Sequence, residues 1–156
     1  EENPLGSAGG VGLAKNWLKE TFILSCGDAL RSFDPNKLIR QHKKNKAFVT
    51  MAIHKPGNEK VTSVMNFNKS RKLKGFIERP TEEQLAKAKE VYMNSSLFVL
   101  EPGIFKYVPK NKKVDLSYDV WPKVLEKGER VYVYPTNDYV LDVGTPEKLE
   151  EAQRTN

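Results

Sequence analysis

Cysteine, histidine and long apolar runs are scarce in this chain. Cys26 is its single cysteine among 156 residues, which excludes an internal disulfide framework and fits a reducing cytoplasm. Neither His42 nor His54 has cysteine neighbours at zinc-ligand spacing, so a structural zinc site is not expected. No apolar stretch is long enough to span a bilayer, and no signal peptide is read, so no membrane partner is expected. Positive charge, by contrast, is plentiful: the formal net charge is +6. The basic runs Arg40–Lys46, Lys69–Lys74 and Lys106–Lys113 are offset by acidic residues elsewhere. Phe67 is a candidate stacking aromatic beside them, and they read as solvated faces and not as a nucleic-acid surface. The length suffices for one domain with a real core.

Phe22 to Cys26 is too short an apolar run for a helix of normal length and reads as a strand buried on both faces. Gly27-Asp28 follows at its carboxyl end, where open α/β sheets bind ligands. Asp28 there reads either as an oxygen ligand for a hard cation or as the cap of a Gly-Asp turn. Before this strand, Glu1 to Gly10 reads as a loop, with Ser7 placed to cap a following helix that carries Val11, Leu13, Ala14, Trp17 and Leu18. Such a small-residue loop can present backbone N–H groups to an anion or a base edge, although it lacks the P-loop lysine.

After the strand, Asp34-Pro35 opens a helix with Leu38, Ile39 and His42 on one side, and Ala47 to Ile53 is the next buried strand. Strand, helix, strand predicts a right-handed parallel crossover. Val61–Phe67 and Leu73–Ile77 read as a hairpin around Asn68–Arg71, ending in Glu78-Arg79-Pro80. That Glu-Arg pair suits either a surface ion pair or a grip on sugar hydroxyls and phosphate. Thr81 and Gln84 have capping-box spacing for a helix over 81–90. Val91–Leu100 reads as a strand whose Asn94-Ser95-Ser96 faces either a cleft or solvent. A short helix at Ile104–Tyr107, a longer one over Asp115–Glu126, strands at Val131–Tyr134 and Tyr139–Val143, and a last helix from Glu147 to Gln153 complete the chain. Asp142, beside Gly144, is a second aspartate at a strand end. Together with Asp28 it forms a candidate Mg²⁺ pair.

Five segments in this order resemble the sugar-1-phosphate nucleotidyltransferases, nearest to the mannose-1-phosphate guanylyltransferase branch. They are Pro4-Leu5-Gly6-Ser7-Ala8-Gly9, Phe22 to Asp28, Phe76-Ile77-Glu78-Arg79-Pro80, Asn94-Ser95-Ser96-Leu97-Phe98 and Asp142-Val143-Gly144-Thr145-Pro146. The resemblance implies a Rossmann-like mixed α/β sheet of the nucleotide-diphospho-sugar transferase type. It implies transfer of a nucleotidyl group from a nucleoside triphosphate to a sugar 1-phosphate, with release of pyrophosphate. Asp28 and Asp142 would hold Mg²⁺. Glu78 and Asn94 would bind sugar hydroxyls, and Arg79 would take the sugar phosphate. Gly6 and Ser7 belong to the loop that reads the base, and Glu1 sits where a base-reading side chain is expected, which favours GTP.

The departures from the family pattern are equally informative. The opening strand and the Gly-rich triphosphate loop are missing, so the sheet is expected to be N-terminally truncated. The chain alone is expected to be inactive, completed by a missing segment or second chain, or prone to self-association at an exposed sheet edge. Ser63 and Ser96 stand where the family has glycines beside the sugar. A non-catalytic homologue that binds nucleotide sugar is the alternative implied by those substitutions.

Overall fold

The computed structural model describes residues 3–57, 60–138 and 140–155. Its centre is a four-stranded mixed sheet in the order β1-β6-β3-β7, made of β1 (Phe22–Ser25), β6 (Met93–Leu100), β3 (Val49–His54) and β7 (Val131–Thr136). β6 runs antiparallel to both neighbours, and β3 and β7 are parallel. The expected strand–helix–strand unit is present as β1, α2 (Pro35–Asn45) and β3, and its two strands point the same way. They are not adjacent, because β6 inserts between them.

β1 is not buried on both faces as its composition suggested. It is an edge strand, its side chains alternate, and Ile23 is 42% exposed. A short apolar run fixes an extended conformation but not how many neighbours the strand has. The opposite edge, on β7, is covered by the hairpin β4 (Ser63–Phe67) and β5 (Leu73–Glu78). There the Val133 N–H donates to Arg71 O at 2.9 Å.

α2 forms as read: Asp34 Oδ1 accepts from the Asn36 N–H at 2.9 Å, Pro35 opens the first turn, and Lys46 ends the helix at φ +45°. α2 packs Leu38 onto one sheet face with Phe33, Ala52, Leu97 and Val99. The larger cluster on Met51, Phe98, Trp121 and Val133 fills the rest of the core. The helix read over Asp115–Glu126 divides into a π turn, Leu116–Val120, and α4, Trp121–Glu126. Pro122 has no N–H to continue an α ladder, so the preceding turn widens and the Trp121 N–H reaches back to Leu116 O.

The first helix departs most from its reading. α1 spans Gly6–Leu13, begins before Ser7, and has no side-chain cap. A 3₁₀ turn, Ala14–Asn16, follows, and Trp17 is 80% exposed instead of packing inward. α3 (Glu82–Ala86) carries both capping-box hydrogen bonds but stops short of residue 90. The second aspartate's strand, β8 (Val140–Asp142), lies outside the main sheet and is not buried. It pairs with β2 (Ala29–Arg31), and α5 (Pro146–Thr155) follows.

Candidate active site

The small β2–β8 ladder is what brings Asp28 and Asp142 together. Ala29 is registered against Asp142, and the Val143 N–H donates to Asp28 O at 2.7 Å. A Cβ on Gly144 would stand 3.0 Å from Asp142 Oδ1 and 3.5 Å from Asp28 Oδ2. The two carboxylates thus converge on a space that exists because residue 144 has no side chain. An all-oxygen donor pair around such a cradle fits Mg²⁺, which takes one or two carboxylates and completes its shell with water and phosphate. Asp142 Oδ1 also accepts from the Gly144 N–H at 2.8 Å, and its Oδ2 accepts from Lys148 Nζ. The lysine, and then the backbone N–H, hold the Asp142 carboxyl below its usual range. No larger group of His, Cys, Asp or Glu ligands occurs among the described residues.

Both aspartates line a cleft of about 660 Å³ together with Asn94, Ser95 and Ser96, which face the cleft and not bulk solvent. The reason is a bulge. Met51 opposes Phe98 and Ile53 opposes Asn94, so β6 carries extra residues that β3 does not match. Ser96 is driven to φ +54°, a conformation that favours glycine, and its N–H donates to Asn94 Oδ1 at 2.9 Å. The Asn94 Nδ2 donors have no partner among the described residues.

Arg31 pins this bulge, and sequence reasoning missed it. Its Nε and Nη2 donate to the carbonyls of Ser95 and Ser96 at 3.0 Å, and its Nη1 donates to Ser25 Oγ at 2.8 Å and Ala29 O at 3.1 Å. One guanidinium therefore ties together β1, β2 and β6. Burial pulls its pKa down, against the opposing influence of Cys26 and Asp28. His54, whose Nδ1 lies 2.9 Å from Ser95 Oγ, lines the same cleft with Lys60 and Lys148. The only sequence signal for Arg31 was its position three residues after Asp28.

Ser63 lies beneath the cleft and does not line it. It is 1% exposed, and its Oγ accepts from the Asn94 N–H at 3.0 Å. Glu78 is registered against Ser63, yet Glu78 does not line the cleft either. Its half-buried carboxyl is pushed up chiefly by burial and also by Asp115, while Ser117 and Arg79 pull it back. Arg79 is exposed at φ +48°, with its N–H donated to Thr62 O at 2.8 Å.

Gly6 and Ser7 reach the same segment as Glu78. Ser7 Oγ donates to Asp115 Oδ2 at 2.8 Å and accepts from the Leu116 N–H at 2.9 Å. Gly6 sits at φ +75° with a Cβ position only 2.7 Å from Val114 O, so no other residue fits there. The N–H groups of Ala8 and Gly9 are committed to Val114 O, so this loop docks onto its own chain. Glu1 lies outside the described residues. Six of the expected site residues thus form two sets, Asp28, Asn94 and Asp142 in the cleft, and Gly6, Ser7 and Glu78 around Asp115–Ser117, while Ser63 and Arg79 belong to neither. A second cavity of about 600 Å³, lined by Phe67, Lys87 and Tyr92, holds none of them.

A mixed sheet with a ligand-sized cleft at the carboxyl ends of its parallel strands β1 and β3 is an arrangement that suits ligand binding in α/β proteins. The chain matches the Nucleotidyl transferase family over residues 1–156 and belongs to it. It is 28% identical over 145 residues to the UTP–glucose-1-phosphate uridylyltransferase of Synechocystis sp., covering 90% of this chain and 37% of that protein. It is 27% identical over 153 residues to the mannose-1-phosphate guanylyltransferase of Mycobacterium tuberculosis, covering 94% and 40%. The chain therefore spans about two fifths of the length of these relatives. In fold it is similar to HddC from Yersinia pseudotuberculosis, with a TM-score of 0.78, 20% identity, and coverage of 99% of this chain and 64% of that one. It is also similar to a UTP-bound UGPase from Acinetobacter baumannii, with a TM-score of 0.78, 16% identity, and coverage of 98% and 56%. The names of the relatives divide among uridylyl, guanylyl and adenylyl transfer, so they do not single out the guanylyltransferase branch.

Proposed function

We propose that the chain is the metal- and sugar-binding portion of a sugar-1-phosphate nucleotidyltransferase, which joins a nucleoside triphosphate, GTP foremost, to a sugar 1-phosphate and releases pyrophosphate. The observation that supports it is the convergence of Asp28 and Asp142 on the space over Gly144, in a cleft lined by Asn94. In this chemistry a phosphate oxygen of the sugar attacks the α-phosphorus, and the protein mainly positions the reactants and offsets their charge. Mg²⁺ bound by the two aspartates supplies charge neutralisation at the phosphates. Asn94 Nδ2 donates to a sugar hydroxyl in the cleft; Glu78, as acceptor from another, and Arg79, for the sugar phosphate, stand outside that cleft and are assigned on the family resemblance. Gly6 and Ser7 belong to the base-reading loop, and Glu1, a carboxylate able to accept from guanine N–H donors, favours GTP. Arg31 holds the bulge that aims Asn94.

β1 offers an edge that no strand covers among the described residues, with Ile23 exposed on it. A strand from another segment or chain completes it, and the triphosphate grip comes from there. A second reading, a nucleotide-sugar-binding module without catalysis, is favoured by Ser96 standing in a glycine-favouring conformation. Intact mass and solution size of the purified protein show whether a second polypeptide or a second copy accompanies this chain. Pyrophosphate release is then measured with GTP, UTP and ATP against sugar 1-phosphates. The enzyme reading expects turnover from the complete assembly, fastest with GTP, that Asp28→Asn and Asp142→Asn each reduce by at least about a hundredfold, and none from this chain alone. Nucleotide-sugar binding without pyrophosphate release from the complete assembly selects the second reading.

A further inference from the structure

Lys148 is placed where helix electrostatics disfavour it. It lies in the first turn of α5, two residues after Pro146, at the end of a helix that attracts anions and repels cations. Its ammonium is nonetheless on Asp142 Oδ2, the oxygen that the Gly144 N–H leaves open. Ala152, one turn further along α5, is buried, and Glu151 lines the cleft beside Lys148, so this face of the helix is fixed toward the site. The pair is largely exposed on both sides, so it contributes little to folding.

We propose that Lys148 is a tethered counter-cation for the metal site: it occupies Asp142 while no divalent ion is bound, competes with that ion for the carboxylate, and on displacement is freed to meet substrate phosphate oxygens in the same cleft. Lys148 acts so only if Asp28 and Asp142 hold a divalent cation, as proposed above. The exchange keeps Asp142 neutralised in both states. It also weakens metal binding in the absence of phosphate, because the incoming ion must first displace the ammonium from Asp142.

Mn²⁺ alone, titrated into the 156-residue chain and read by the electron paramagnetic resonance signal of free Mn²⁺, separates the possibilities. Lys148→Met should bind Mn²⁺ about threefold to tenfold more tightly than the unaltered protein, and Lys148→Arg, which keeps the charge, should not. Equal or weaker binding by Lys148→Met, with circular dichroism unchanged, overturns the role of Lys148 and leaves the two-aspartate site standing. Mn²⁺ binding that survives Asp28→Asn and Asp142→Asn, or no binding by any form, overturns the metal reading and the counter-cation with it.

Discussion

The two halves of β6 differ sharply although they are one strand. From Leu97 to Leu100 every side chain is buried, and Phe98 packs on Trp121 with ring centroids 5.2 Å apart. From Met93 to Ser96 burial alternates, the backbone bulges, and Ser96 takes φ +54°. The Leu97–Leu100 half is held by regular pairing with β1 and β3, whereas the Met93–Ser96 half pairs with β3 in a shifted register and is tied down by Arg31. Regular pairing secures the fold, and the irregular stretch exposes polar groups to the cleft. If this division is right, substitutions in the two halves separate into those that unfold the protein and those that spare its stability.

The largest expected effect is at the packed end. Phe98→Ala should cost about 3–4 kcal/mol of stability in urea unfolding, through lost transfer energy and a cavity against Trp121. A loss under about 1 kcal/mol would mean that the carboxyl half of β6 is not the anchor.

Next comes the polar clamp that follows this end. His42 is 2% exposed, with Nδ1 2.9 Å from Thr50 Oγ1 and Nε2 3.0 Å from Glu101 Oε1. His42→Ala should cost about 2 kcal/mol, because the buried Thr50 hydroxyl loses its partner. Adding Thr50→Val should recover part of that loss, and strict additivity of the two costs would remove the coupling between α2 and β3.

At the bulged end the expected sign reverses. Ser96→Gly should raise stability by about 0.5–1 kcal/mol, since a left-handed residue loses its steric cost without a Cβ. Ser96→Ala should give no such gain. A destabilised Ser96→Gly protein would show that the bulge is held by the serine side chain and not by Arg31.

The same contrast explains what was legible from residues alone. Local signals were reliable: Asp34-Pro35, the Thr81–Gln84 box and the hairpin turn each rest on neighbours a few positions apart, and each formed. The convergence of Asp28 and Asp142 was expected, but from buried strand ends. It arises instead from a three-residue ladder outside the main sheet. Sheet position was not legible, because the burial of β1 depends on a neighbour that a short apolar run does not specify. Arg31 was hidden for a related reason: its partners at Ser95 and Ser96 are more than sixty positions away and are carbonyls, which no side-chain pattern announces. Trp17 departs from its expected inward packing because the α-helix ends at Leu13, and apolar spacing does not announce where a helix stops.

The smallest expected effect is a pair of pH slopes of opposite sign, one for each half. Beside the packed end, burial alone would raise Glu101, but hydrogen bonds from Thr21 and His42 outweigh it, and its pKa falls below the ordinary 4.5. The unfolded chain then binds more protons near that pH, so the stability from Glu101 is complete above pH 4.5 and is lost as the pH falls through the lowered value. Beside the bulged end, Glu78 is registered against the Ser63 that holds Asn94, and burial raises its pKa above 4.5. There the folded chain binds more protons, so stability declines as the pH rises from 4.5 through the raised value. Urea midpoints measured from about pH 3 to about pH 7 should lose their acid-side rise in Glu101→Gln and their gentler decline above it in Glu78→Gln. Slopes of the same sign in the two variants would erase the distinction, because both carboxylates would then be held as charges, and the bulged half would be no less committed to folding than the packed one.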